Sequence, residues 1–269
     1  MPVDNARDWA RSIVEATTLD GKRLAAAGNL DLIDAGPPLP LTAPGRPPAL
    51  AIVSGRVARV PPITGMRDAA QRARILHALA NHELQAIELF AWALLAFPDA
   101  PLAFRRGLVA ILSDEQRHLV LYESRLAAHG AAFGDYPVTG HFWNKLDQLR
   151  DPLAFVCVMG LTFENANLDF AGDYAAAARA CGDPATADVL DRVHEDEIAH
   201  VHFGWVWMKR FADGDPWDVY TRVVQPPLGP HRARGARFDR SARERAGIDE
   251  AFIDRLAATE AKRPSGEPR

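Results

Sequence analysis

The chain has 269 residues, 48% of them hydrophobic, and a formal net charge of −4. That length can bury one large core with extensions, and the charge balance gives no general attraction to nucleic acid or to an anionic membrane. The two cysteines, Cys157 and Cys181, match no zinc or redox spacing and are too few for a disulfide scaffold. The N-terminal stretch "MPVDNARDWARSIVEA" lacks the apolar core of a signal peptide. No apolar run reaches the roughly 18 residues that a membrane span needs. A cytoplasmic protein with no membrane partner is expected.

In chain order, residues 5–27 read as one or two short amphipathic helices. "DAGPPLPLTAPGRPP" (34–48) is a proline-rich connector, and "ALAIVSGRVARV" (49–60) suits a short strand or hairpin. From 67 to 211 the pattern becomes helical, in four long segments near 67–97, 101–129, 151–181 and 184–211. The breakers "FPDAP" (97–101) and "ACGDP" (180–184) make two short connections, which favour antiparallel hairpins. "HGAAFGDYPVTG" (129–140) begins a longer crossover with room for a helical turn at 141–149. Short helices are expected near 215–224 and 248–261, and "KRPSGEPR" (262–269) has the composition of a disordered tail. The domain reading is therefore an N-terminal extension (1–66), a helical bundle (67–211) and a C-terminal extension (212–269).

Apolar residues at steps of three and four mark the inward face of each long helix. The first stripe is Leu76, Leu79, Ala80, Glu83, Ile87, Phe90, Leu94; the second is Leu108, Ile111, Leu112, Glu115, His118, Leu119, Tyr122. The third is Cys157, Leu161, Glu164, Asn167, Leu168, Ala171, and the fourth Leu190, Val193, Glu197, His200, Val201. Each helix thus carries a carboxylate within its core face, and two add a histidine three residues on, in "DEQRH" (114–118) and "DEIAH" (196–200). Glu88 shares its face with Asn81, Leu84, Gln85, Trp92 and Leu95, and reads as lying on a mixed surface. Burying an ionised carboxylate without a partner costs several kcal/mol. The stripes hold no Lys or Arg, so bound cations are the simplest source of the opposite charge.

Spacing gives a separate argument. Glu115 follows Glu83 by 32 residues and Glu197 follows Glu164 by 33, and both midpoints fall in the breaker-rich turns. In an antiparallel hairpin, residues equally far from the turn sit at one height, here about 24 Å from it at ~1.5 Å per residue. One Glu-x-x-His pair would mean little; two, each with an upstream Glu at a matched distance, are hard to reach by chance.

This pattern resembles the ferritin-like superfamily of di-iron carboxylate proteins, in which two helices give a Glu each and two give Glu-x-x-His. The resemblance covers 67–211 and rests on Glu83, Glu115 with His118, Glu164, and Glu197 with His200; "HELQAIEL" (82–89) is similar to a little-characterised branch of that superfamily. It implies an all-α fold, a ferritin-like antiparallel four-helix bundle with a long crossover, plus the two extensions. It implies two iron ions, with manganese or a mixed Mn/Fe pair as the alternative, bridged by Glu115 and Glu197 with Glu83 and Glu164 terminal. Asp114 and Asp196 would cross over to orient His200 and His118. Arg117 matches the family pattern as a partner of one of these acids, while Ala199 stands at the same place in the second motif, so the surroundings should be asymmetric. Tyr122, one turn beyond His118, has the offset of the radical-forming tyrosine of the ribonucleotide reductase small subunit. It is a candidate catalytic residue, weighed against an ordinary core tyrosine. His194, one turn before Glu197, could line the site, with placement at the surface or behind the ligands favoured.

The activity implied is that of an oxidoreductase that activates O2 to hydroxylate or oxidise a small organic substrate, with an external electron donor. Its alternatives are ferroxidase and iron storage, a di-manganese catalase-like activity, and a metal-stabilised binding bundle without turnover. The flanking segments argue against a simple storage cage, and a homodimer is compatible with the sequence. The basic segment "HRARGARFDRSARER" (231–245) is interrupted by Asp239 and Glu244 and is poor in aromatics. Packing on the bundle is favoured over RNA binding, although a more distantly similar di-iron family hydroxylates tRNA.

Overall fold

The computed structural model describes residues 4–260; the tail 262–269, expected to be disordered, lies outside the described residues. The described chain is mostly helical with almost no strand, and among these residues no helix is long and apolar enough to cross a membrane. It divides into two units, Met1–Pro61 with Asp68–Leu146, and Pro62–Arg67 with Asp147–Arg269.

In the first unit, α1 (Ala6–Glu15) starts at Asn5, whose side chain accepts from the Asp8 amide, and α2 (Leu19–Lys22) starts at Thr18 in the same way. The long helices α3 (Ala69–Ala96) and α4 (Leu102–Ala128) form a hairpin about the expected short turn. Asp68 caps α3. Gly130, at φ 71°, ends α4, with the Ala131 amide bonding back to the Leu126 carbonyl. The C-terminal half of α3 is buried on every side, because α1, α4 and the proline-rich segment all pack on it. The Leu39 amide donates to the Leu95 carbonyl at 2.9 Å and the Trp92 indole to the Leu41 carbonyl at 2.9 Å. The strand expected within 49–60 is only Ile52–Val53 (β1), and no hairpin forms there. β1 instead pairs in parallel with Val138–Thr139 (β2), a partner too distant in sequence for local pattern to reveal. A 3₁₀ turn at Trp143–Gln148 occupies the place of the helical turn expected at 141–149.

Burial of α3 corrects the expectation for Glu88. Its side chain is fully buried, not on a mixed surface. Lys22 Nζ lies 3.0 Å from Oε1, Arg46 donates at 2.6 and 3.0 Å, and the Trp143 indole donates at 2.7 Å. Lys22 also donates to the Ile13 and Val14 carbonyls, at the end of α1. Burial pushes the Lys22 ammonium below its usual range, and the Glu88 carboxylate opposes that shift. Two cations from the N-terminal segment thus neutralise an acid on the opposite face of α3 from Glu83.

In the second unit, α5 (Pro152–Val158), a π-helical turn (Met159–Glu164) and α6 (Asn165–Ala180) run without a break and return along α7 (Pro184–Phe211). Three helices begin alike, with an Asp cap followed by Pro at the first helical position: Asp151–Pro152, Asp183–Pro184, and Asp215–Pro216 at the head of α8 (Pro216–Val223). The cap satisfies an amide that would otherwise lack a bond, and proline supplies the right φ where no amide is needed. The sequence predicted one unbroken α-helix over 151–181. The π turn departs from it, and the Thr162 hydroxyl bonds the Cys157 carbonyl at 2.8 Å within the widened turn. Gly160, in that turn, meets Gly204 of α7 so closely that a β-carbon at 160 would lie 2.9 Å from the Gly204 Cα.

A helix not foreseen, α9 (Arg240–Arg245), precedes α10 (Glu250–Ala258). The basic segment packs here as favoured. Arg243 is buried and bonds both oxygens of the buried Asp169 on α6 at 2.8 and 2.9 Å. Asp169 also accepts from the Gly235 and Asp239 amides, and Phe238 lies under the Arg234 and Arg243 guanidiniums.

Candidate metal centre

The stripes predict which residues turn inward, and all six expected ligands are buried: Glu83, Glu115, His118, Glu164, Glu197 and His200. They form one cluster in each unit. In the first, α3 supplies Glu83 while α4 supplies Glu115 and, three residues on, His118. One donor atom from each of the three lies within 4.8 Å of the others. His118 Nδ1 stands 3.4 Å from Glu83 Oε2 and 3.5 Å from Glu115 Oε2. Burial, and then the negative charge of Glu115, push the Glu83 carboxyl well above the usual carboxylate range. Burial would push the His118 imidazole down, but the hydrogen bonds and charges of Glu115 and Glu83 outweigh it and hold it well above the usual value.

In the second unit the π turn ends at Glu164, and α7 supplies Glu197 and His200; donor atoms of these three likewise lie within 4.8 Å of one another. His200 Nδ1 is 3.1 Å from Glu197 Oε2, and the other carboxylate oxygen, Oε1, accepts from the Asn167 amide at 3.0 Å. The glycine contact lies beside this cluster, since Gly160 is one turn before Glu164 and Gly204 one turn after His200.

Two buried carboxylates and an imidazole in each unit suit a divalent cation of the iron, manganese or zinc kind better than a soft thiophilic one. The donor atoms, buried and within 4.8 Å of one another in each cluster, fit such an ion. Two buried acids held together repel each other, and a cation among their oxygens would reverse that penalty. These clusters could hold metal ions.

Arg117 Nη1 donates to Asp114 Oδ1 at 2.7 Å, the pairing expected for it. The second motif has an arginine as well, but from another position: Arg192, four residues before Asp196, donates to it at 3.2 Å. The two halves therefore differ in where the arginine comes from. Tyr122 is buried on α4, one turn beyond His118. His194 turns to the C-terminal segment, its Nε2 lying 3.4 Å from Asp239 Oδ2. Asn167 was visible only as a polar member of an apolar stripe, and its bond to Glu197 needed the fold to show it.

The fold and the site define an α-helical protein with buried carboxylate–imidazole clusters that could hold a metal ion. The chain belongs to the family described as "Protein of unknown function (DUF455)", whose profile matches residues 6–254. The match runs from α1 into α10, so the segments flanking the long helices are part of the family's domain. No curated protein and no solved structure matches the chain.

Proposed function

We propose that this protein is a ferritin-like carboxylate oxidoreductase, in which the Glu/Glu/His clusters hold two iron ions, or manganese and iron, and O2 is activated to hydroxylate or oxidise an organic substrate. The observation that carries this reading is the repetition of one buried donor set. Glu83, Glu115 and His118 in one helical hairpin have the same kinds and order as Glu164, Glu197 and His200 in the next.

When bound, such a metal pair supplies the redox chemistry that no side chain here provides. The protein's own residues do the rest. The six ligands would fix the ions by geometry and charge, and carboxylates bind a cation in the deprotonated form, so loading would be coupled to proton release. The surrounding apolar stripes exclude water, which strengthens every charge interaction at the ligands. Asp114, held by Arg117, and Asp196, held by Arg192, are the acids that the resemblance assigns to orienting the ligand histidines. Tyr122 is the candidate redox-active side chain in the same core.

The test is metal analysis of the protein purified from iron- and manganese-replete cells, followed by anaerobic loading with ferrous ion and exposure to O2. About two ions per chain and a new ferric absorption are expected; Glu115→Ala should lose both. Fewer than one ion per chain in the wild type would overturn the reading. A very large assembly in solution would favour iron storage instead, and rapid peroxide disproportionation by a manganese-loaded sample would favour catalase-like activity.

A further inference from the structure

We propose that Asn167 is a positioning residue that makes the two clusters unequal, by fixing which oxygen of Glu197 is offered to a metal ion; this inference rests on the metal-binding reading above. The geometry lies wholly within the second unit. Asn167 Nδ2 donates to Glu197 Oε1 at 3.0 Å, while Glu197 Oε2 lies 3.1 Å from His200 Nδ1. The two oxygens of one buried carboxylate are thus divided, one engaged by a neutral amide and one turned to the ligand imidazole. A hydrogen bond to Oε1 uses one of its lone pairs and draws charge from it, so Oε2 becomes the stronger donor and the carboxylate is held in one rotamer.

The position has no equivalent in the first unit. Asn167 lies three residues after Glu164, on the same helical face. The residue three after Glu83 is Ala86, which carries no side-chain donor. Placement also depends on the π turn that ends at Glu164, because α6 starts from its register. An amide suits this role better than a charged donor. Lysine or arginine would compete with the cation for the cluster, whereas asparagine orients the carboxylate and leaves its charge for the metal.

The test uses the metal-free full-length protein titrated anaerobically with Co²⁺. Binding is followed by the visible bands of the ion and by metal stoichiometry. Two same-sized variants separate positioning from packing: Asn167→Leu keeps the shape and removes the donor, and Asn167→Asp keeps the shape and puts a negative charge against Glu197. Wild type should take up two equivalents. Asn167→Leu should weaken one of the two by about 10- to 100-fold and leave the other unchanged. Asn167→Asp should perturb the same step and shift its visible bands. Thermal unfolding of the metal-free variants checks that both fold. Two equivalents bound with wild-type affinity and spectrum in both variants would overturn the inference while leaving the metal reading intact. A wild type that takes up less than one equivalent would overturn both.

Discussion

Replacing Gly160 with alanine probes how the second cluster is held. The added β-carbon would sit 2.9 Å from the Gly204 Cα, 3.5 Å from the Gly204 amide nitrogen and 3.7 Å from the His200 carbonyl oxygen. Carbon atoms in contact prefer about 3.5–4.0 Å, so the two backbones must separate by roughly 0.5–1 Å. Neither side can yield by rotating a side chain, because the atom struck first is backbone. Overpacking of this kind costs about 1–3 kcal/mol, and the gain from replacing glycine in a helix is about 0.5–1 kcal/mol. A net loss of about 1–2 kcal/mol is expected. At roughly 2–4 °C per kcal/mol this lowers the melting temperature of the metal-free protein by about 2–8 °C, read by circular dichroism. The separation also moves Glu164 away from Glu197 and His200, so uptake of one metal equivalent should weaken about tenfold or more, measured by titration with Co²⁺. Gly204→Ala, whose β-carbon would lie 3.1 Å from the Gly160 Cα in a regular α-helix, should be milder. A Gly160→Ala protein that melts and binds metal like the wild type would refute the idea that this contact sets the cluster.

Other outcomes follow from the buried charges. Glu88→Gln leaves Lys22 and Arg46 buried without their anion and should cost about 3–5 kcal/mol by urea denaturation; an unchanged midpoint would contradict the assigned role. Asp169→Asn strands Arg243 and removes the anchor of the C-terminal segment, so trypsin should cut within residues 232–245 faster than in wild type; equal rates would count against that anchor. The buried His77 accepts from the Gly134 amide at 2.9 Å, and burial, opposed by Asp135, lowers its imidazole to about 4 from 6.5. The unfolded chain therefore takes up this proton first. The stability tied to neutral His77 is complete above about pH 6.5 and is lost progressively toward pH 4, by up to about 3 kcal/mol. Denaturation of wild type and His77→Gln across that range should show their difference shrinking as the pH falls, and a flat difference would refute it.

The family match extends over both flanking segments, and the structure shows why they belong with the long helices. The N-terminal segment brings Lys22 and Arg46 to Glu88, and the C-terminal segment brings Arg243 to Asp169. Each removes a charge that would otherwise sit unpaired against a long helix. What distinguishes Glu83 and Glu164 from Glu88 and Asp169 is the kind of partner. The latter two have guanidinium or ammonium groups, whereas Glu83 shares its cluster with a carboxylate and an imidazole, and so does Glu164.

By itself the sequence determined what is local. Period and breakers placed the four long helices within a few residues, and the stripes picked out six residues that are all buried. These follow from bonds and side-chain spacing within a few turns, which neighbouring residues dictate. Only the tertiary structure decided what depends on distant partners. Glu88 looked half-solvated because Lys22 and Arg46 lie 66 and 42 residues away along the chain. β1 found its partner at 138–139, not in a hairpin, and α9 forms where Asp239 caps it and Asp169 receives Arg243. The π turn sets Gly160 against Gly204 of α7, and Asn167 gains its meaning from the rotamer of Glu197 on another helix. Helix periodicity reports which way a side chain points; which atom it meets there is set by packing between elements, and no local pattern encodes it.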